Sequence, residues 1–331
     1  MARIEDSPDR LLSIHYLRAV AAVMVVVYHV FSHRILIARD PDHVTWLKDG
    51  VAIFFVISGF VMARSAEREP FRPATFFRRR LLRVVPLYWF VTFWYVLMTR
   101  QWDWPHLFHT LLFLPEADSA GAVRLPVIDV GWTLNYEMAF YGLFALSMLL
   151  PRRLALSVLC AILALLAILG SLVDAGPLAD YYFLPYWWEF IAGMLIARLN
   201  LRAPAWTLPL GFLWLAVGPQ LFDARLLETS LAAALIVASA RSLDGVLRPW
   251  SFPMLLGDAS YAIYLTHLFV MFALYNSFGS LGHPAAMLPL AVIGSLIIGI
   301  GAHLFVEKPL AELVRYHRKR SPSMSSAALN P

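Results

Sequence analysis

Charge is scarce in this sequence. Asp, Glu, Lys and Arg together make up 15% of its 331 residues, against about a quarter in soluble domains. Water is therefore not the main solvent of the folded chain. The sequence has one cysteine, Cys160, set inside an apolar stretch. That excludes an internal disulfide and any cysteine-built metal site, and leaves Cys160 as a packing residue. The first ten residues, MARIEDSPDR, carry acids and no small-residue cleavage site, so the apolar run that follows is expected to stay as a first helix. No segment between the apolar runs is long enough for a separate soluble domain.

What the sequence has in abundance is apolar surface: 60% of residues are hydrophobic and the mean hydropathy is +0.66. A bilayer core about 30 Å thick takes roughly 20 apolar residues per helical crossing. Ten windows of that kind are predicted, at Ser13 to Phe31, Val51 to Ala66, Leu81 to Met98, Gly131 to Leu150, Leu154 to Val173, Tyr182 to Ala197, Trp206 to Leu221, Leu226 to Ala240, Leu256 to Phe278 and Pro284 to Val306. The expected architecture is an all-α polytopic bundle over residues 1–310, followed by a basic, disordered tail over 311–331.

Orientation follows from Lys and Arg, which cytoplasmic loops retain. Alternate loops hold 21 of the 27 basic residues if the N-terminus is inside, which predicts both termini in the cytoplasm. Six remain outside: Arg34, Arg39, Lys48, Arg100, Arg124 and Arg225. The net charge of +5 is then a topology signal and gives no reason to invoke nucleic acid. The longest outer loop, Arg100 to Val130, carries Trp102, Trp104, Phe108 and Phe113 and is expected to lie partly in the membrane interface.

Ionisable groups within the crossings mark candidate sites, because each is costly to hold in hydrocarbon. On the first helix Arg18 and His29 are eleven residues apart, so they share a face and stand roughly 16 Å apart along the axis. Glu137 enters about 9 Å deep on the fourth, antiparallel helix. His267 lies near the middle of the ninth. A base at such a depth with a carboxylate in reach can deprotonate a hydroxyl. The alternative for each histidine, His303 included, is a hydrogen bond that merely locks neighbouring helices. Glu137 has an ion-pair alternative, and Glu189, beside Trp188, an interfacial one. Arg80 and Arg83 share a face at i,i+3 in FFRRRLLRVVP and suit a phosphate held by bidentate, charge-assisted bonds, with contact to lipid headgroups as the alternative. Gly59, after Ser58, offers a close helix approach.

These residues lie in segments that resemble the membrane acyltransferase-3 family: LRAVAAVMVVVYH, GVAIFFVISGFVM, RRRLLRVVPLYW, WTLNYEMAFY, EFIAGMLIA, LGDASYAIYLTH and VEKP, seven pieces in family order. The GWTLNYE wording is most similar to exopolysaccharide-production members. The resemblance implies a multi-pass enzyme of the bacterial inner membrane that O-acylates a glycan or its lipid-linked precursor from a cytoplasmic acyl-CoA, acetyl-CoA or another short one such as succinyl-CoA, with no metal. It implies catalytic roles for His29 and Glu137. Arg18, Arg80, Arg83, Ser58, Tyr261 and His267 are implied on the donor side. Direct transfer and a transient acyl-histidine are both chemically allowed. Many relatives carry an acid where this chain has Ala52, so that role is absent or passes to Asp49. No appended hydrolase domain is seen, and transfer is expected to finish within the bundle. The other class open to such residues is a transporter or flippase of a lipid-linked sugar; the expected mark of one, repeat symmetry between halves, is not visible.

Overall fold

The computed structural model describes residues 11–32, 41–68, 72–173, 176–222, 224–278 and 284–313. Arg3, Arg10, Arg34, Arg39 and the tail beyond Leu313, on which part of the topology reading rests, lie outside the described residues. The chain is helical almost throughout: α1 Leu12–Ser32, α2 Gly50–Arg68, α3 Pro73–Thr99, α4 Trp104–Leu111, α5 Trp132–Ser147, α6 Arg152–Leu172, α7 Pro177–Tyr182, α8 Trp187–Arg198, α9 Leu208–Leu221, α10 Leu231–Ala240, α11 Ser251–Phe278 and α12 Pro284–Ala302. Two π-helical turns, Leu226–Ser230 and His303–Glu307, lead into α10 and out of α12.

Each of the ten apolar windows falls on a helix. Among the described residues six helical spans are long and apolar enough to cross a membrane: Leu12–Ser32, Val44–Glu67, Pro73–Thr99, Arg152–Leu172, Ser251–Leu274 and Met287–Leu313. The other four helices, α5, α8, α9 and α10, have 16, 12, 14 and 10 residues, short of the roughly 20 that a full crossing takes. The outer faces settle the solvent. Trp89, Phe90, Phe93, Trp94 and Leu97 of α3, Leu154, Val158, Ile162 and Leu165 of α6, and Leu290, Ile293 and Ile297 of α12 are all exposed. Continuous apolar stripes of that size belong against lipid. The protein is an all-α polytopic membrane protein with one small hairpin, Glu116–Ala117 against Val123–Arg124.

Two differences from the sequence reading have local causes. The third helix starts at Pro73, eight residues before the expected window, because proline at a first helical position opens a helix that the following FFRRRLLR segment continues. Arg80 and Arg83 stand on this helix, as their i,i+3 spacing implied. The loop expected to lie outside contains α4, whose Asp103 carboxylate accepts from the His106 backbone N–H at 3.2 Å as an N-cap and pairs with Arg124 Nη1 at 2.7 Å. These two bonds to the ionised form hold the Asp103 carboxyl below the usual carboxylate range.

Helix α2 is the centre of the bundle. It packs on α8 through two glycines that bring backbone against backbone: a Cβ at Gly59 would meet the Phe190 carbonyl oxygen at 2.2 Å, and one at Gly193 would meet that of Val56 at 2.0 Å. The close approach expected of Gly59 is thus present. Buried side chains form three apolar clusters, and Phe54 of α2 packs against all three. Glu189 is not interfacial. It is fully buried and accepts from Arg225 Nε at 2.9 Å, while Arg225 Nη1 lies 3.5 Å from Asp49 and its guanidinium covers the Tyr186 ring at 4.4 Å. A charge buried in this way persists because it is paired. Asp49, one turn before Ala52, is itself 3% exposed.

Candidate active site

A cavity of about 470 Å³ runs between α1, α2, α3, α5 and α11. One end is polar. There the start of α1 brings Leu11, His15 and Arg18, the end of α2 brings Arg64 and Ser65, the first turns of α3 bring Arg80 and Arg83, and α11 brings Asp258. The other end is lined by Val51 and Phe54 from the start of α2, Thr133 from the start of α5, and Tyr264. Helices that alternate in direction place these ends on opposite sides of the bundle. The period of 3.6 explains the wall from α2: Val51, Phe54, Ser58 and Val61 share one face and line the cavity, while Ile53 and Val56 are buried in the core away from it.

Five of the expected donor-side residues, Arg18, Arg80, Arg83, Ser58 and Tyr261, line this one cavity, and so does Glu137. Arg80 lies over the Phe76 ring at 5.6 Å, and the Tyr261 hydroxyl donates to the Val84 carbonyl at 2.8 Å, tying α11 to α3. Glu137 accepts from the Ser58 hydroxyl at 3.2 Å and from the Tyr141 hydroxyl, both on Oε1. Glu137 and Arg18 line the same cavity.

The side chain that the structure brings to His29 is His267. Nε2 of His267 lies 3.3 Å from Nδ1 of His29, with ring centroids 4.9 Å apart. His29 falls in the last turn of α1, near the end of that helix and not at its middle, whereas His267 lies well inside α11 and is fully buried. Neither histidine lines the cavity, but Tyr264 joins the two features: its ring closes the apolar end, and its carbonyl oxygen holds Nδ1 of His267 at 2.7 Å. The Tyr264 hydroxyl is fixed by the Val130 carbonyl at 3.0 Å and by Thr133 Oγ1 at 2.9 Å.

The sequence reading missed His15, whose Nε2 meets the Met254 carbonyl at 2.8 Å and Asp258 at 3.5 Å. A signal existed, since His15 stands at i−3 from Arg18 on the same helical face. His303 pairs with Glu307 at 2.7 Å across its π-helical turn. Among the described residues no group of three or more His, Cys, Asp or Glu side chains is arranged to hold a metal ion.

A polytopic helical bundle with an arginine-bearing cavity between its helices is a membrane protein with a reaction or transport site inside the bundle. The acyltransferase domain model matches residues 11–304, and the chain belongs to that family, acyltransferase 3: it is a membrane acyltransferase. It is 36% identical over 311 residues to the exopolysaccharide production protein ExoZ of Rhizobium meliloti (strain 1021), covering 85% of this chain and 94% of that one. It is 30% identical over 217 residues to the membrane-bound transacylase BcsY of Komagataeibacter xylinus, described there as putative, covering 58% of this chain and 52% of that one. It is 28% identical to the acyltransferase MdmB of Streptomyces mycarofaciens over 93% of this chain and 94% of that one. No solved structure matches the chain.

Proposed function

We propose that this protein transfers a short acyl group, in the first place acetyl, from acyl-CoA to a hydroxyl of an exported polysaccharide or its lipid-linked precursor. The cavity carries the proposal. Its polar end holds Arg18, Arg64, Arg80 and Arg83, while Phe54, Val61, Met62 and Val84 line its interior. A donor with a polyphosphate head and a long, flexible, weakly polar arm has the same polarity along its length. The guanidiniums bind the phosphates, and the arm lies along the apolar wall with the thioester toward Tyr264 and the histidine pair.

His29 is the general base. It takes the proton of the acceptor hydroxyl as that oxygen attacks the thioester carbonyl, and the leaving thiolate recovers the proton. Glu137, fixed by Ser58 and Tyr141, balances the arginines within the cavity. Ten crossings with both termini cytoplasmic, in the inner membrane of a bacterium, put the arginine end on the side of the acyl-CoA pool. The similarity to ExoZ supports a polysaccharide acceptor. The family supports transfer over transport.

Mass spectrometry of the exported polysaccharide from cells with and without this protein tests the reading. Loss of one acyl mass per modified sugar, acetyl or succinyl, supports it and identifies the group. An unchanged acyl content with unacylated polysaccharide accumulating inside the cell contradicts it in favour of transport.

A further inference from the structure

A backbone carbonyl only accepts hydrogen bonds, so an imidazole nitrogen held against one carries the proton. Both members of the histidine pair are held in this way. Nδ1 of His29 is 2.9 Å from the Val25 carbonyl oxygen, and Nδ1 of His267 is 2.7 Å from that of Tyr264. Each carbonyl belongs to the preceding turn of the histidine's own helix, which biases each ring toward the Nδ1–H tautomer. In the neutral pair each ring then has its N–H at Nδ1 and its lone pair at Nε2. The contact of 3.3 Å runs from Nε2 of His267 to Nδ1 of His29: a lone pair meets an N–H. The opposite tautomer of His29 would set two lone pairs against Nδ1.

We infer that His267 is a positioning residue, which fixes His29 in the tautomer with its basic nitrogen at Nε2 and receives the hydrogen bond of the imidazolium formed during transfer. This rests on His29 being the base. The acceptor hydroxyl gives its proton to Nε2 of His29 while its oxygen bonds to the acyl carbon. The carbon–sulfur bond then breaks, and Nε2 returns the proton to the thiolate, which leaves as the thiol. The N–H at Nδ1 stays in place throughout, shared between Val25 and His267, and no proton is gained or lost by His267. In a Ser-His-Asp triad a carboxylate does this work. His267 is 0% exposed in a membrane chain, where an ionised carboxylate is costly. A second imidazole provides the lone pair without the charge.

The test uses the purified full-length protein in nanodiscs together with acyl content per inserted protein in cells, for His267→Ala, His267→Gln and His29→Ala. Glutamine can place its amide oxygen where Nε2 of His267 lies. His267→Ala is expected to lower acylation by about 100-fold or more with acetyl-CoA affinity unchanged, and His267→Gln to regain part of it. Nitrogen-15 NMR of labelled histidine should show one His29 tautomer in the wild type and in His267→Gln, and a mixture in His267→Ala. Wild-type acylation in His267→Ala overturns the inference, as does weaker acetyl-CoA binding at unchanged turnover or a single His29 tautomer in every variant. Should His29→Ala still acylate, it is the base assignment that fails; an inactive His29→Ala beside an active His267→Ala removes the positioning role alone.

Discussion

Ser58 Oγ donates to Oε1 of Glu137 at 3.2 Å, joining α2 to α5 across the cavity that both residues line. With Tyr141 bonding the same oxygen, the carboxylate is held by two hydroxyls that would bond a neutral amide oxygen equally well. Glu137→Gln therefore removes charge and little geometry. Acylation is expected to fall by about tenfold, less than on loss of His29, with normal membrane levels of the protein. A loss as complete as that of His29→Ala, measured on the same polysaccharide, would make Glu137 the proton acceptor instead.

The donor end is tested at Arg80 and Arg83. Replacing either by alanine removes a charge-assisted contact, and acetyl-CoA binding by calorimetry should weaken by about 1 to 3 kcal/mol for each. Unchanged affinity in both variants would return these arginines to membrane anchoring.

Gly59 tests the packing. A methyl group there meets the Phe190 carbonyl oxygen at 2.2 Å, and backbone cannot step aside as a side chain can. Gly59→Ala should force α2 and α8 apart and cost about 1 to 3 kcal/mol, read as a lower thermal transition in detergent. Gly142→Ala, where no neighbour lies within 4 Å, is the control and should be near neutral.

Topology is tested by reporter fusions. A reporter active only in the periplasm should be silent after Arg320 and active when inserted at Ser119 in the loop before α5. Activity after Arg320 would contradict the cytoplasmic C-terminus and the even number of crossings.

The helices were legible because apolar runs of membrane length have few alternatives, and the cavity wall was legible where charge is out of place in such runs: Arg18, Glu137, Arg80 and Arg83 all reach one chamber. What did not show was pairing between distant segments. His29 and His267 are 238 residues apart in sequence, and equal depth on two helices does not say which faces meet. For the same reason depth suggested Glu137 as the neighbour of His29, whereas the contact the structure makes to Glu137 comes from Ser58 on α2. Glu189 looked interfacial beside Trp188 because its partner Arg225 comes from the start of the π-helical turn before α10, 36 residues on. The start of α3 was read too late because Pro73, which opens the helix, lies upstream of the apolar window.

On the mechanism proposed above, His29 performs the chemistry and does not hold the donor. The most direct measurement is His29→Ala in parallel assays: acyl content of the polysaccharide by mass spectrometry and acetyl-CoA binding by calorimetry on the same membrane-inserted protein. Acylation is expected to fall by about 100-fold or more with acetyl-CoA affinity unchanged, since the arginine end stands roughly 16 Å down α1. A His29→Ala protein that acylates at near wild-type level, or one that fails because it no longer binds acetyl-CoA, would contradict it.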